Sequence, residues 1–262
     1  MDNNELDSPV RHRRSPKAIA SALLRKQNYT GIVQAFRLST RPVDFLSRYI
    51  RNSGSYPADV TLRTPTGLVA AHVYAPDDIQ TINEIFFRGD YQAGGNNKVV
   101  VDFGSNIGIS ALYFLSRQAG TYVYCYEPLP QNIERLRRNL APYGGQYELA
   151  EIAVGESDGT VRFGWEPTGR YGGVGRDTGR WIDVPCRDSN SILREIVARH
   201  GVIDLLKIDI ETLEKAVTER IPVDLARQIR SIVVEYPFTA NPLAQTHNWT
   251  RKNNVTTFTL KQ

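Results

Sequence analysis

Along the middle of the chain, short apolar runs alternate with longer stretches whose apolar residues fall at helical spacing. Val99–Phe103 (VVVDF) is a continuous run, as expected of a strand buried on both faces of a parallel sheet. Gly104 and Gly108 punctuate a turn, and Ile107–Gln118 then reads as a helix. Thr121–Glu127 is a second strand. A helix follows from Pro130 to about Leu140, with the proline in the first turn, where it is tolerated. Tyr147–Val154 is a third strand. The alternation then breaks: Gly159–Trp165 and Trp181–Pro185 are short β-like stretches around a glycine-rich segment. It resumes with helix Asn190–His200, strand Ile203–Ile210, short helix Thr212–Arg220 and strand Ile229–Tyr236; Val255–Leu260 reads as a last strand. Such alternation predicts right-handed crossovers and a mostly parallel central sheet flanked by helices, an α/β fold.

Upstream the pattern is different. Residues 1–17 show no apolar period and are expected to be disordered. Ala18–Lys26 and Val43–Arg51 predict short helices, separated by a gap that holds Gly31 and Pro42. Residues 59–74 alternate apolar and polar around Thr64-Pro65-Thr66-Gly67, which is a hairpin signal. Asp78 can cap a helix that places Ile79, Ile82, Ile85 and Phe86 on one face; Gly89 ends it, and Ala93–Asn97 leads into the central strand. The expected division is a basic tail with a helical appendage over 1–57 and the main domain over 58–262.

Composition narrows the classes. No apolar run approaches the roughly 18 residues of a membrane span. The basic N-terminus lacks the apolar core of a secretory signal, so a cytoplasmic location is expected. Cys125 and Cys186 lack metal-type spacing and read as reduced core thiols. Residues 1–60 hold ten Lys and Arg against five Asp and Glu, a net +5 within a chain of net +4. The basic character therefore belongs to the N-terminal segment. It reads as a solvated tail, or as an arm for an acidic partner. Basic and aromatic residues are not interleaved, so there is no clear nucleic-acid platform. The sequence specifies no oligomeric state.

In an open α/β sheet, ligands bind beyond the carboxyl ends of the strands. Four of those ends carry acids here: Asp102, Glu127, Asp209 with Glu211, and Glu235; Glu151 lies near the third. The turn after the first strand is D-x-G-x-x-x-G, not the G-x-G-x-x-G of dinucleotide binders. Glycines there let a ligand approach the backbone, and the free N–H groups of a following helix favour a carboxylate. The methionine carboxylate of S-adenosylmethionine suits that place; a nicotinamide dinucleotide's pyrophosphate prefers the glycine triplet. Glu127, 25 residues after Asp102, is placed to accept both hydroxyls of a ribose.

The stretches VVVDFGSNIGISALYF, VYCYEPLPQNIERLRRNL, IAVGESDGTVRF, IDLLKIDIETLEKAV and IVVEY, in this order, resemble the FkbM-type methyltransferases, as does the upstream DDIQTINEIFFRGDY. The resemblance covers roughly residues 60–237 and implies the class I, Rossmann-like methyltransferase fold, with 58–262 as the methyltransferase domain. It implies S-adenosylmethionine binding at Asp102, Gly104, Ser105, Asn106 and Gly108, a ribose contact at Glu127, and Ile152 and Ala153 beside the adenine. Tyr91 is a candidate to close over the cofactor, or a surface aromatic.

Lys207, Asp209 and Glu211 alternate in K-I-D-I-E, so a strand period places all three on one face. An acid there can take a hydroxyl's proton as methyl transfers to it, and clustered acids would also suit a divalent cation. Alternatively, Lys207 neutralises Asp209. Family members carry glycine after the glutamate, and here Thr212 stands instead. Thr168–Arg180 (TGRYGGVGRDTGR) reads either as a substrate loop, its arginines facing an anionic or polyol acceptor, or as an exposed hairpin turn. His72 and His247 are further candidate bases. Class I methyltransferases usually finish with a helix and a hairpin. Only 26 residues follow Tyr236, broken by Pro237, Pro242 and Asn253-Asn254, so a shortened C-terminal edge is expected.

The leading expectation is an O-methyltransferase acting on a hydroxyl of a sugar, glycolipid or polyketide-like metabolite. The alternatives are an NAD-dependent oxidoreductase on a similar fold and a non-catalytic cofactor-binding module.

Overall fold

The computed structural model describes residues 26–91, 97–169 and 171–262. The expectations for residues 1–17, most of helix Ala18–Lys26 and the stretch before Asn97 lie outside these.

Five neighbouring parallel strands make up most of a seven-stranded sheet: β3 (Val99–Phe103), β4 (Tyr122–Tyr126), β5 (Tyr147–Ala150) at one edge, β10 (Ile203–Ile208) and β11 (Ile229–Val234). Every residue of β3 and β10 is buried, which is why both read as continuous apolar runs rather than alternating ones. The connecting helices are α4 (Ile109–Leu115), α5 (Pro130–Asn139), α6 (Ser189–His200) and the short α7 (Glu214–Glu219) and α8 (Val223–Ala226). Leu112, Phe114 and Leu136 of α4 and α5 pack on one face of the sheet. Ile192, Leu193 and Ile196 of α6, with Val217 and Leu225, pack on the other.

The edge beyond β11 corrects the sequence reading. It is not shortened: β13 (Val255–Leu260) pairs antiparallel with β11, and β12 (His247–Lys252) pairs antiparallel with β13. Strand order is β12-β13-β11-β10-β3-β4-β5. Asn253-Asn254, read as a breaker, is the two-residue hairpin turn, with Asn253 at φ 58°, a left-handed conformation asparagine tolerates well. What is absent between β11 and β12, among the described residues, is a helix; that connection is irregular.

A second departure follows β5. The run Tyr147–Val154 is two strands, because the chain leaves the main sheet after Ala150. β6 (Ala153–Gly155) joins β9 (Trp181–Asp188), β7 (Gly159–Gly164) and β8 (Gly173–Val174) in a separate four-stranded sheet of order β6-β9-β7-β8.

At the N-terminal side, α1 (Lys26–Leu38) runs through Gly31, where the sequence predicts a gap. A Cβ at Gly31 would stand 2.7 Å from Asn83 Oδ1, so a small residue lets the helix pack close. α2 (Pro42–Arg51) and the hairpin β1 (Ala58–Thr64) with β2 (Gly67–Val73) follow. Asp78 lies in the first turn of α3 (Pro76–Ile82), and its carboxylate accepts from the amides of Tyr74 and Ala75; the N-cap itself is Ala75. A π-helical turn, Asn83–Phe87, ends this arm. Phe45, Val60, Ile79 and Phe86 join the same core as Val100 and Leu112, which holds the arm against the sheet.

Candidate active site

The parallel ladders run on past the strands and level their carboxyl ends. Gly104 N–H donates to Tyr126 O at 3.1 Å, Asp209 N–H to Phe103 O at 3.1 Å and Glu235 N–H to Ile208 O at 3.0 Å. A cavity of about 1120 Å³, its open mouth included, lies over these ends. Gly104 is fixed by that closeness. Its φ is +78°, and a Cβ would lie 1.7 Å from Asp209 O, so the β3 and β10 termini meet only over glycine.

Beneath the cavity floor is a buried ion cluster. The strand register sets Lys207 beside Asp102. Lys207 Nζ is 2.9 Å from Asp102 Oδ1 and 3.3 Å from Asp209 Oδ2, and it donates to Gly104 O at 2.8 Å. Burial alone would lower the Lys207 pKa, but Asp102 and Asp209 outweigh it, and the ammonium is held above its ordinary value. Asp102 is fully buried, with its second oxygen accepting from Ser110 Oγ at 2.6 Å. It does not line the cavity, and neither does Gly108, which packs on Leu136 of α5. Both shape the wall from behind. The other expected residues reach it: Tyr91, Gly104, Ser105, Asn106 and Glu127 line the cavity, as do Ile152 and Ala153. Lys207, Asp209 and Glu211 line it too.

On the β3–β4 side, Glu127 is buried. Its Oε2 accepts from Asn106 N–H at 2.9 Å, and its Oε1 from Leu129 N–H at 3.0 Å and Asn132 Nδ2 at 3.3 Å. Burial pushes its pKa up to about 7, although these three donors oppose the shift. A carboxylate has about four lone-pair positions, so Oε2 keeps one open toward a ligand. Next to it, Asn132 Oδ1 is buried without a hydrogen-bond partner and its side chain lines the cavity. An open carboxylate position and an orphaned acceptor, side by side, suit the hydroxyl and amino donors of a nucleoside.

The helix after the glycine turn starts two residues later than its apolar run suggests. α4 begins at Ile109 and has seven residues. The amides before it are engaged internally: Asn106 on Glu127, Ile107 on Asn106 Oδ1 at 2.7 Å and Gly108 on Ser105 O at 2.8 Å. These three amides brace the turn and Glu127, and the cavity wall continues into the first turn of α4 at Ile109 and Ser110.

On the β10–β11 side, Tyr91 is a buried residue and not a surface aromatic. Its hydroxyl lies 3.2 Å from Asp209 Oδ2 and 3.0 Å from Glu235 Oε2. The neighbouring Asp209 charge, then burial, raise the Glu235 pKa to about 8. Burial, with Asp209 and Glu235, raises that of Tyr91 well above a phenol's usual value. Glu235 stands at a strand end in the sequence, but nothing local signals that it meets Tyr91 and Asp209.

Glu211 departs from the period-two expectation because the strand stops at Ile208. Glu211 and Thr212 take left-handed conformations, φ 53° and 76°, and turn the chain away. Glu211 faces Arg176 Nη1 at 2.5 Å, and Thr212 Oγ1 donates to Val174 O at 3.0 Å. The glycine-rich segment is thereby strapped across the cavity mouth. Gly169 O accepts from Asn132 Nδ2 at 2.8 Å and Asn106 Nδ2 at 3.3 Å. Tyr171, Gly172 and Val174 line the cavity, and Arg176 faces Glu211 and the Tyr171 ring; Arg170 is outside the described residues. The histidines do not take part. His72 pairs with Asp59 on the hairpin, and His247 is buried at Ile229 O and Thr246 Oγ1, its pKa lowered by burial.

Among the described residues, no group of three or more metal-type side chains converges, and no helix is long and apolar enough to cross a membrane. Cys125 and Cys186 are both buried and free.

Residues 102–250 match the methyltransferase FkbM domain. The 31-O-demethyl-FK506 methyltransferase FkbM of Streptomyces tacrolimicus is 28% identical over 213 residues, covering 67% of this chain and 80% of that protein. The 2-O-methyltransferase NoeI of Sinorhizobium fredii is 32% identical over 65 residues, covering 25% of this chain and 26% of that one. Among solved structures, a methyltransferase from Geobacter sulfurreducens is similar with a TM-score of 0.38 and 15% identity, over 70% of this chain and 78% of that chain. The domain match spans more than half of the chain and takes in both sides of the cavity; the chain belongs to the FkbM methyltransferase family and is an S-adenosylmethionine-dependent methyltransferase.

Proposed function

We propose that the protein is an O-methyltransferase whose acceptor is a hydroxyl on a small sugar, glycolipid or polyketide-like metabolite. The observation that carries this reading is the set of carboxylates at the β10–β11 side of the cavity, opposite the nucleoside-type acceptors of Glu127 and Asn132. The two named relatives, one a demethyl-FK506 methyltransferase and one a 2-O-methyltransferase, support transfer to oxygen.

In this reading Glu127 and Asn132 hold the nucleoside of S-adenosylmethionine, and Gly104, Ser105, Asn106, Ile152 and Ala153 shape the wall around it. Asp102 and Gly108 support that wall from behind. S-adenosylmethionine supplies an electrophilic methyl group on a sulfonium. The protein's task is to hold the acceptor oxygen in line and take its proton, so orientation supplies most of the rate and base catalysis adds to it. Asp209 is the proton acceptor. Lys207 holds Asp209 in place, its ammonium standing between Asp102 and Asp209. Glu211 anchors the strap through Arg176.

The test is incubation with methyl-labelled S-adenosylmethionine and metabolite extracts, with and without chelator, followed by mass analysis. Label is expected on an ether oxygen of a small molecule, unchanged by chelator. Label on nitrogen or carbon, or cofactor binding with no transfer to any fraction, overturns the reading. Loss of transfer with chelator replaces the lysine-held carboxylate with a metal.

A further inference from the structure

We propose that Asp209 and Glu235 act as a single base, two carboxylates joined through the Tyr91 hydroxyl that take up one proton between them, and that the acceptor's proton goes to this pair. The inference rests on the methyltransferase reading above and adds Glu235 to the site.

Geometry is the first ground. One phenolic oxygen lies within hydrogen-bond distance of both carboxylates, 3.2 Å from Asp209 and 3.0 Å from Glu235. A phenol has one hydrogen, so it satisfies one carboxylate at a time. All three side chains line the cavity. Other charged groups face the pair from each packed element. From β10 comes Lys207, 3.3 Å from Asp209. From β3 comes Asp102, neutralised by the same ammonium. On the segment carrying Tyr91, Arg88 and Asp90 pair with each other, and Lys252 of β12 is 3.1 Å from Asp90. Glu211 and Glu214 lie on the loop side, Glu211 against Arg176. One ammonium therefore serves Asp102, Asp209 and Glu235, and the third carboxylate is left in excess.

The consequence is chemical. A lone Asp beside a lysine is a weak base, because the ammonium stabilises its charged form. A second carboxylate on the far side restores basicity: two like charges around one site favour uptake of the first proton. Glu235 follows this direction, its carboxyl pushed up above all by the Asp209 charge. A base matched to the working pH is more effective than one that is ionised far below it. In the step, the acceptor O–H bond breaks and its proton moves onto a carboxylate oxygen of the pair. The new O–CH3 bond forms as the S–CH3 bond breaks, with that electron pair remaining on sulfur. The pair later releases its proton to solvent.

The test is an infrared pH titration of the full chain, read at the carbonyl band of a protonated carboxyl. The parent is expected to lose one such component with a midpoint near 8. That component should be missing in Glu235→Gln and equally in Asp209→Asn, and displaced in Tyr91→Phe. The absorption near pH 7 that Glu127 and Glu214 provide together serves in each variant as a marker of an intact fold. Survival of the pH 8 component in either Glu235→Gln or Asp209→Asn overturns the proposal. The second arm follows labelled methyl transfer to the acceptor fraction. In the parent, kcat rises with pH up to about 8. In Glu235→Gln the rising limb moves at least one pH unit lower and the plateau falls about tenfold, with the KM for S-adenosylmethionine retained. An unmoved limb overturns the proposal while leaving the methyltransferase reading intact. Absence of any transfer by the parent counts against that reading, while the infrared titration still decides whether the pair shares a proton.

Discussion

On the β3–β4 side of the cavity, Asn106 meets Glu127 across 21 residues, and Glu127 meets Leu129 and Asn132 within five. On the β10–β11 side, Tyr91 meets Asp209 across 118 residues and Glu235 across 144. The first side is one strand–turn–helix unit plus the end of its neighbour. The second exists only once the whole sheet has closed. The proposed nucleoside end is therefore carried by local geometry, and the proposed reacting end by long-range packing. Lys207 joins them, with one carboxylate partner from each side.

The severest way to break the comparison is to remove that joint. Lys207→Met leaves Asp102 buried with an uncompensated charge and deprives Asp209 of its partner. Losing one member of a buried pair costs about 3–5 kcal/mol. Urea unfolding should show a drop of that size. A loss below about 1 kcal/mol would mean that Asp102 simply picks up a proton and that the two sides are not held by this ammonium.

A smaller effect should separate the sides. Glu127→Gln removes the charge from the proposed ribose acceptor, where hydrogen bonds to a charged group contribute about 1.5–3 kcal/mol each. Titration calorimetry should show S-adenosylmethionine binding about 100-fold more weakly. An affinity equal to the parent's sinks the ribose assignment, and an equal loss from Glu235→Gln would erase the distinction between the sides.

The same carboxyl gives a pH test. Its pKa stands at about 7 without ligand, and hydroxyl donors favour the ionised form. Lowering the pH through 7 protonates the group before the ligand arrives. Affinity should then fall, approaching about tenfold per pH unit below 7, and stay level above it. The stability sign is the opposite: the folded state holds this proton more tightly than the unfolded chain, so stability should decrease as pH rises from about 4.5 to 7. Glu127→Gln should flatten the affinity profile and remove its own share of the stability slope, leaving that of Glu214, which burial also raises to about 7.

The difference in reach also explains what was legible in the sequence. VVVDF, its glycines and Glu127 could be read because cause and effect lie within one βαβ unit. Even there, the role of Gly104 was half-seen: the close approach it permits is that of Asp209 O, which no local pattern announces. Glu235 was visible as a strand-end acid, but Tyr91 and Asp209 reach it only through strand order. The period-two rule failed at Glu211 because it was extended beyond the last paired residue, Ile208. The C-terminal hairpin was missed for a related reason. HNWTRK lies at a sheet edge with most of its residues exposed, so it carries little apolar alternation, and Asn253-Asn254 ends a strand and begins another with the same residues that would end a chain of structure.

The smallest effect concerns Thr212, where the family resemblance implies a glycine. Its φ of 76° is a conformation that costs a β-branched residue about 1–3 kcal/mol. Two terms oppose that strain. Thr212 Oγ1 donates to Val174 O on the strap, and an exposed hydrogen bond of this kind contributes about 0.5–1 kcal/mol. Glycine would also give the unfolded chain more freedom, about 0.5–1 kcal/mol in the same direction. The terms nearly cancel: threonine exchanges backbone ease for a tie between the β10 end and the strap. Thr212→Gly should therefore change the urea midpoint only slightly, by the equivalent of a gain of about 0.5 kcal/mol. Thr212→Ala removes the tie while much of the strain remains, and should lose about the same amount. If both variants were destabilised alike, the tie would outweigh the strain, and the strap would be part of the fold's stability; if both were stabilised, Val174 would contribute nothing and the strap would be held at Arg176 and Gly169 alone.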